Sequence, residues 1–202
     1  KNVSEYKFVF DLDSTLTKIE ILPEIARYIG EHESISKITE ETMLGKLSFE
    51  QSFSIRVDIL KKVSIEKVRG IISNIEFNNE LVKFILENID RCIIITGNLD
   101  VWICELMDEL GFKGRYFSSK ACVEDGEIKG ISHIIKKEDI IKTLEGPIVA
   151  IGDGSNDAKM IEHANIGIGF GGVRDIAPSV LQVCDYAFYE EGRLCQFLRQ
   201  LL

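Results

Sequence analysis

The sequence predicts an α/β protein: a parallel β-sheet with helices on both faces, and a small helical domain inserted after the first strand. From residue 79 onward, short apolar runs alternate with amphipathic stretches, which is the pattern of parallel strands joined by helices. Residues 19–75 contain no convincing strand. The chain has 202 residues, 45% of them hydrophobic, which is enough for a sizeable core and a small second domain.

The first apolar run, residues 8–10, is expected to be a buried strand. The inserted segment is predicted to form four helices, because its apolar residues recur every three or four positions. Gly30 is placed to end the first of these helices. The other three are preceded by serines that can cap a helix, and Gln51 completes an S-x-x-Q capping box for one of them. These serines are Ser34, Ser48 and Ser64.

The rest of the chain predicts a doubly wound, Rossmann-like core. Its strands are expected near residues 92–95, 115–123, 147–151, 166–170 and 184–188. Its helices are expected near residues 79–89, 99–110, 136–145, 155 onward, 175–181 and 191–201. Asp125-Gly126 is typical of a hairpin turn. We expect a core domain of residues 1–16 and 77–202, and a helical cap domain of residues 17–76.

The charge balance argues against some partners. Lysine and arginine number 24 against 33 aspartates and glutamates, a formal net charge of −9, which disfavours nucleic acid or an anionic membrane. No apolar run approaches the roughly 20 residues of a membrane helix. The polar first seven residues show no signal-peptide pattern. Five cysteines without a C-x-x-C spacing suggest reduced thiols, so a cytoplasmic location is expected.

Two aspartates, Asp11 and Asp13, directly follow the first strand. In open α/β sheets, ligands bind at the carboxyl ends of the strands. In extended backbone these two side chains would point the same way, and like charges that close repel unless a cation or a shared proton relieves them. The pattern favours a magnesium site or a pair of nucleophile and acid. The alternative is a solvated turn rich in aspartate.

Polar residues at two other points are candidates for binding an anion. Thr96-Gly97-Asn98 follows the strand at 92–95, and a hydroxyl with free amides at a helix start can hold phosphate oxygens. An ordinary capped helix start is the alternative. Lys136-Lys137 begins a helix, where a cation opposes the helix dipole and is more natural if it faces an anion. The alternative is a solvated pair of lysines.

The strand at 147–151 leads into the stretch 152–157, Gly-Asp-Gly-Ser-Asn-Asp. Asp153 is expected at the end of that strand, beside Asp11. Hard oxygen ligands from separate strands suit Mg²⁺, which keeps several waters and few protein ligands. A glycine-rich turn with a helix cap is the alternative.

These residue types together suit phosphoryl transfer. A carboxylate such as Asp11 can attack phosphorus and form an aspartyl-phosphate. Asp13 is placed to protonate the leaving group and then to deprotonate the attacking water. Because a halide leaving group needs no proton, the second aspartate favours phosphate esters. Lys137 and the Thr96 hydroxyl would stabilise charge on the phosphate oxygens.

Over essentially its full length, the chain resembles the haloacid dehalogenase-like phosphohydrolases. The resemblance lies in the stretch 11–15, Asp-Leu-Asp-Ser-Thr, in Thr96 and Lys137, and in the stretch 152–157. It implies a Mg²⁺ cofactor. The implied catalytic residues are Asp11 and Asp13, and the implied metal site comprises Asp11, Asp13 and Asp153, with Asp157 behind them. Implied phosphate-binding and substrate-binding residues are Thr96, Gly97, Lys137 and Asn156.

Within that family the chain is most similar to the phosphoserine phosphatases, through the inserted helices and the stretch 43–53 followed by Arg56. The similarity implies that Glu20 meets a substrate ammonium group, that Arg56 meets its carboxylate, and that Met43 and Phe49 wall the pocket. A zwitterionic group needs one fixed charge of each sign. The alternatives are a helix-start acid for Glu20 and a solvent-facing position for Arg56.

One departure concerns the substrate. Phosphoserine phosphatases usually carry Ser-Gly-Gly where this chain has Thr96-Gly97-Asn98, so Asn98 puts a side chain near the expected substrate. O-phosphoserine is the leading substrate, with another small metabolite phosphate as the alternative. A more remote alternative is a non-catalytic receiver domain that accepts phosphate. We expect either a monomer or a homodimer, with no nucleic-acid or membrane partner.

Overall fold

The computed structural model describes residues 5–202 and contains one seven-stranded sheet. Residues 1–4, which begin the predicted core domain and the polar N-terminal stretch, lie outside the described residues. The strand order is β4-β3-β2-β1-β5-β6-β7. The strands are β1 (Lys7–Phe10), β2 (Cys92–Leu99), β3 (Tyr116–Glu124), β4 (Glu127–His133), β5 (Ile148–Gly152), β6 (Ile166–Phe170) and β7 (Tyr186–Phe188).

Ten helices connect or flank these strands within residues 5–202. They are α1 (Ile21–Arg27), α2 (His32–Met43), α3 (Phe49–Leu60), α4 (Ile65–Ile72), α5 (Asn79–Glu87), α6 (Asp100–Glu109), α7 (Lys137–Ile141), α8 (Ala158–His163), α9 (Pro178–Leu181) and α10 (Glu191–Gln200). Short 3₁₀ turns lie at Ile89–Arg91 and Ser155–Asp157. The predicted α/β class with a helical insertion is confirmed.

The central strand β1 places alternate side chains on opposite faces of the sheet, as the pleat requires. Phe8 and Phe10 join the larger apolar cluster, which includes residues of α5, α6 and α10 and of the four inserted helices. Val9 joins a second cluster, built with residues of α7, α8 and α9. Because β1 is covered on both faces, its polar neighbours can lie only at the strand ends.

Two of the three predicted capping serines are confirmed. The Ser48 hydroxyl accepts a hydrogen bond from the Gln51 amide at the start of α3, and Ser64 accepts one from the Lys67 amide at the start of α4. The prediction for Ser34 is wrong, because α2 already begins at His32 and the Ser34 hydroxyl donates to the Glu31 carbonyl.

Two element boundaries differ from the prediction by four residues. β2 does not stop at Ile95 but continues to Leu99, with a register shift against β3. α7 ends at Ile141 instead of near residue 145, and just beyond it the Thr143 hydroxyl donates to the Ile140 carbonyl. At the edge of the sheet, the predicted Asp-Gly turn is followed by β4, which the predicted strands did not include.

The hairpin makes the sheet mixed. Asp125 and Gly126 have φ values of 52° and 75°, a left-handed pair that suits a tight hairpin turn. β4 consequently pairs antiparallel with β3, while the other strand pairs described in residues 5–202 are parallel. This edge lies away from the centre of the sheet, so the parallel order around β1 and β5 is undisturbed.

The inserted helices connect to the sheet through two segments that lie side by side. Thr17 and Phe77 form an antiparallel bridge. On either side of it, the Lys18 amide donates to the Glu76 carbonyl at 2.9 Å and the Asn78 amide donates to the Leu16 carbonyl at 2.8 Å. Among residues 5–202, no helix has the length and apolar character needed to span a membrane.

Candidate active site

The carboxyl ends of β1 and β5 bring three carboxylates together. The Asp11 amide donates to the Ile151 carbonyl at 3.0 Å, so the residue after β1 lies beside the end of β5. Carboxylate oxygens of Asp11, Asp153 and Asp157 all lie within 4.8 Å of one another. All three residues are buried. The adjacency of Asp11 and Asp153, which the sequence analysis expected from the strand ends, is therefore present.

A buried lysine lies against this group. The Lys137 ammonium donates to Asp11 Oδ1 at 2.8 Å and to Asp157 Oδ1 at 2.6 Å, and the side chain is only 2% exposed. Burial alone would lower the pKa of Lys137, but the Asp11 and Asp157 carboxylates outweigh burial and raise it above its ordinary value. Lys137 therefore stays charged and orients both carboxylates.

Asp157 is fully engaged by the protein itself. Its second oxygen, Oδ2, accepts hydrogen bonds from the amides of Asp153 at 3.1 Å and Gly154 at 3.0 Å. A Cβ at Gly152 would lie 2.6 Å from the Asp157 carboxyl carbon, so this approach requires glycine. Because Lys137 binds the other oxygen, both Asp157 oxygens are satisfied by the protein, and Asp157 holds Lys137 and the 153–154 backbone in place.

The Asp153 carboxylate, unlike that of Asp157, makes no hydrogen bond within the described residues. Both of its carboxylate oxygens are buried, and neither has a hydrogen-bond partner among residues 5–202. Burial, followed by the charges of Asp11 and Glu20, raises the pKa of Asp153 well above its usual value. Burial and the Asp157 charge likewise raise the pKa of Asp11. Unsatisfied buried carboxylate oxygens are costly, and a divalent cation with hard oxygen ligands would satisfy them.

The Asp13 carboxylate is not part of this three-carboxylate group. The chain turns at residues 13–16, and Ser14 has a positive φ of 61°, so the extended backbone assumed from the sequence ends too early. Asp13 Oδ1 accepts from the Ile21 amide at 3.1 Å, and Oδ2 accepts from the Asn98 side-chain amide at 3.4 Å. Burial and the nearby Glu20 raise the pKa of Asp13 to about 7. A metal role for Asp13 remains a prediction.

A cleft of about 450 Å³, counting its opening to solvent, lies between the carboxyl end of the sheet and the inserted helices. Most predicted site residues line it, and four do not: Thr96, Lys137, Asp153 and Asp157. The predicted residues along the cleft are Asp11, Asp13, Glu20, Met43, Phe49, Arg56, Gly97 and Asn156. Further lining residues are Leu22, Thr39, Thr42, Phe53 and Asn98.

Arg56 is a buried residue of α3 that lines this cleft, and not a solvent-facing one. Its Nη1 donates to the Thr39 hydroxyl at 3.2 Å, and its Nε donates to the Ser52 carbonyl at 3.3 Å. The guanidinium carbon lies 5.8 Å and 5.7 Å from the ring centroids of Phe49 and Phe53. Burial lowers the pKa of Arg56 to about 10, so the residue is still cationic at neutral pH.

Glu20 precedes α1 but its side chain makes no capping hydrogen bond, and the first amide of the helix, that of Ile21, is bound by Asp13. The Ser14 hydroxyl donates to Glu20 Oε1, and the left-handed turn at Ser14 brings that hydroxyl to the carboxylate. Besides Asp11 and Asp13, the cleft is therefore lined by one further acidic residue, Glu20, and by one basic residue, Arg56.

The remaining predicted phosphate-binding residues lie at the end of β2. Thr96 is fully buried, and its hydroxyl oxygen accepts a hydrogen bond from the Asn98 amide at 3.1 Å. Gly97 faces the ring of Phe49, which occupies the space that a side chain at this position would need. The Asn98 Oδ1 accepts from the Leu99 amide, so its Nδ2 is directed toward Asp13.

Sequence reasoning missed three contributors to the site: Ser14, Thr39 and Arg174. Ser14 was inside a recognised motif, and its contact with Glu20 depends on a backbone turn that no spacing reveals. Arg174, between β6 and α9, lies near Glu20 and Asp153. No periodicity or motif distinguishes Arg174 from the other arginines of the chain.

Comparison with known proteins identifies the class. A family model described as haloacid dehalogenase-like hydrolase matches residues 8–165. A phosphoserine phosphatase of Methanocaldococcus jannaschii is 36% identical over 177 residues, covering 80% of this chain and 83% of that protein. One from Archaeoglobus fulgidus is 32% identical over 180 residues, and the match spans 51% of its length. The chain belongs to the haloacid dehalogenase-like hydrolase family.

Solved structures of phosphoserine phosphatases superpose on this chain over nearly its whole length. A structure described as a phospho-aspartyl intermediate analogue of phosphoserine phosphatase superposes with a TM-score of 0.80 at 29% identity, covering 96% of this chain and 99% of that one. A substrate-bound phosphoserine phosphatase complex gives a TM-score of 0.81 at 29% identity, covering 98% and 99%. Within the family this chain is a phosphatase that resembles the phosphoserine phosphatases.

Proposed function

We propose that the protein hydrolyses O-phosphoserine to serine and phosphate, with Mg²⁺ as cofactor and an aspartyl-phosphate on Asp11 as intermediate. The observation that carries this proposal is the pair of opposite fixed charges, Glu20 and Arg56, in the same cleft as Asp11. A small substrate with an ammonium group, a carboxylate and a phosphate would find a partner for each of them there.

Asp11 and Asp153 are the residues proposed to hold the metal, and Asp157 would support them from behind through Lys137 and the backbone amides. The two buried oxygens of Asp153, which accept no hydrogen bond within residues 5–202, fit this role. When bound, Mg²⁺ would neutralise phosphate oxygens so that an anionic nucleophile can approach phosphorus. Carboxylate oxygens on rigid strand ends are the donors that magnesium prefers.

In the first step, an Asp11 oxygen forms a bond to phosphorus while the bond between phosphorus and the serine oxygen breaks. Lys137 holds Asp11 Oδ1 at 2.8 Å and so limits the rotation of the carboxylate. Asp13 donates its proton to the leaving serine oxygen, a role that suits a carboxyl group whose pKa burial raises to about 7.

In the second step, Asp13 accepts a proton from water, and the water oxygen attacks phosphorus while the bond to Asp11 breaks. Phosphate leaves, and both carboxylates return to their starting state. Contacts to Ile21 and Asn98 keep the Asp13 carboxylate beside the cleft for both transfers.

Substrate selection would rest on the inserted helices. Arg56 is anchored by Thr39 and lies beside the stacked rings of Phe49 and Phe53, so its guanidinium is held in place for a carboxylate. Glu20 would bind the ammonium group, and Met43 and Phe49 would form side walls of the cleft. The relatives named phosphoserine phosphatase support this assignment. We propose residues 17–76 as the cap domain, residues 1–16 and 77–202 as the core, and the cytoplasm as the location.

Asn98 favours a second candidate, hydrolysis of another small metabolite phosphate. Its side-chain amide lies in the cleft and reaches Asp13 at 3.4 Å, where a smaller residue would leave room for a substrate. The substrate would then be one whose leaving group tolerates or uses this amide. Magnesium, Asp11 and Asp13 would keep the same roles.

The test is steady-state hydrolysis of phosphoserine, phosphothreonine and p-nitrophenyl phosphate, with and without Mg²⁺. We expect phosphoserine to give the highest kcat/KM, and chelation to abolish turnover of all three. Equal rates for phosphoserine and the generic ester would defeat the serine assignment. A single stable phosphorylation without phosphate release would instead favour the receiver alternative.

Arg56→Ala supplies a sharper arm of the same experiment. Removing the guanidinium should lower kcat/KM for phosphoserine by about 10²-fold, as for loss of a charged hydrogen bond worth about 3 kcal/mol, and should affect p-nitrophenyl phosphate far less. Arg193→Ala, which removes an arginine with a 74% exposed side chain on α10, is the matched control. Equal losses on both substrates would remove the proposed carboxylate role.

A further inference from the structure

One arginine of the core reaches three carboxylates from three different segments. Arg174 Nη2 binds Glu40 of α2, Nη1 lies 3.6 Å from Glu20 Oε1, and Nε lies 4.0 Å from Asp153 Oδ2. The Arg174 side chain is only 18% exposed. Glu40 belongs to the inserted helices, whereas Arg174 and Asp153 belong to the sheet side of the cleft.

The ion pair between Arg174 and Glu40 lies at a second cleft, which adjoins the candidate active-site cleft. Glu20 and Thr39 line both clefts, so they form a shared wall. Arg174 and Glu40 line the outer cleft only. A contact between the two sides at this point would limit how far the inserted helices can separate from the sheet beside Glu20.

The inserted helices are seated directly on the site. The Phe49 ring lies against Gly97, and the Met43 thioether lies against Gly154. The Ser155 hydroxyl donates to the Thr42 carbonyl. Separation of these contacts would widen the way to Asp11, and their return would enclose a bound substrate.

We propose that Arg174 is a positioning residue that clasps the inserted helices onto the core through Glu40, and that bound substrate strengthens this contact. The proposal rests on the proposed function. A substrate ammonium group at Glu20 repels the Arg174 guanidinium from Glu20 and favours its contact with Glu40. Substrates that carry an ammonium group should therefore strengthen the contact between Arg174 and Glu40, and substrates that lack one should leave it unchanged.

The experiment compares Arg174→Ala, Glu40→Gln and the double variant, with Arg193→Ala as control. Arg193 makes an ion pair with Glu190 at 3.5 Å, but both side chains are over 70% exposed and neither residue lines either cleft. Each single variant should raise the KM for phosphoserine about fivefold, as expected for loss of one ion pair. The double variant should show no further rise, and kcat should change less than KM.

The same variants with p-nitrophenyl phosphate, which has no ammonium group, should show a KM change below about twofold. In substrate-free protein, amide hydrogen exchange across residues 39–46 should be faster in Arg174→Ala and Glu40→Gln than in Arg193→Ala. The exchange readout does not depend on the substrate, so a failure of the phosphoserine assignment leaves it intact.

Two results would overturn the clasp. If the single-variant effects multiply in the double variant, Arg174 and Glu40 act independently. If both substrates lose activity alike and exchange at 39–46 is unchanged, Arg174 acts on Asp153 and not on the inserted helices. Should Arg174→Ala fail to fold, Glu40→Gln carries the test alone, because Glu40 is exposed on α2.

Discussion

The Lys137 ammonium explains how buried acids can lie so close together in this fold. It binds Asp11 and Asp157 at 2.8 Å and 2.6 Å, and it compensates one of the three negative charges in the group. The remaining imbalance falls on Asp153, whose oxygens accept no hydrogen bond within residues 5–202 and face the Arg174 guanidinium only at 4.0 Å, from Nε to Oδ2. A residue that is unfavourable for folding by itself is therefore the strongest indication of a cation site.

Asp11→Asn tests the nucleophile. The variant should lose turnover by at least about 10³-fold, the scale of loss when a nucleophile is removed. It should fold normally, and in chelator its midpoint of thermal unfolding should rise, because one of three crowded carboxylates becomes neutral. Asp108→Asn, an exposed change at the end of α6, should alter neither property. Turnover near the unmodified rate would rule out Asp11 as nucleophile.

At the scale of elements, α3 carries three of the residues with which the inserted segment lines the cleft. Phe49, Phe53 and Arg56 are spaced four and three residues apart, so they lie on one face of the helix. The Ser48 cap sets where that face begins. The ring of Phe49 in turn packs against Gly97 at the end of β2, so a strand end and a helix start together define one wall of the cleft.

Gly97→Ala tests this contact. The added methyl would meet the Phe49 ring, and overpacking of about 1–3 kcal/mol should hold α3 away from the core and raise the KM for phosphoserine at least about fivefold. Gly130→Ala in β4 is the matched control, since a Cβ there meets nothing within 4 Å. If the two alanine variants have the same KM, the contact between α3 and β2 does not shape the site.

At the scale of the whole molecule, the excess of acidic residues includes a buried group of carboxyl groups at the candidate active site. The chain has a net charge of −9, and several of its acids meet at the carboxyl end of the sheet. Burial raises the pKa of Asp11, Asp13 and Asp153. The folded protein without metal therefore binds protons at these carboxyl groups more tightly than the unfolded chain does.

A pH dependence follows with a definite sign. The pKa of Asp13 is 3.8 in the ordinary case and about 7 in the fold, so the metal-free protein should lose stability as pH rises from about 4 to about 7. Added Mg²⁺ should oppose this loss, because the cation favours the ionised carboxylates. Thermal unfolding at pH 5 and pH 8, in Mg²⁺ or in chelator, measures both effects.

The Mg²⁺-dependent rise in the unfolding midpoint should be larger at pH 8 than at pH 5. Asp153→Asn, which removes a proposed ligand, should abolish most of that rise. A Mg²⁺ response that is equal at both pH values, or that survives in Asp153→Asn, would contradict a metal site built on these carboxylates.

Local patterns were sufficient for much of the molecule. The apolar run at β1, the capping serines Ser48 and Ser64, and the Asp-Gly turn are determined by interactions within a few residues, and each is present as predicted. The adjacency of Asp11 and Asp153 was also predictable, because parallel strands that are neighbours bring their carboxyl ends to one edge.

The amino-acid sequence by itself determined the class of fold, the strand ends that carry the acids, and the family to which the chain belongs. Only the tertiary structure decided which oxygens are already satisfied, that Asp13 turns toward Ile21, and that Arg174 reaches Glu40. The physical reason is range: periodicity and capping act over a few residues, whereas these contacts join segments whose distance depends on packing of the whole chain.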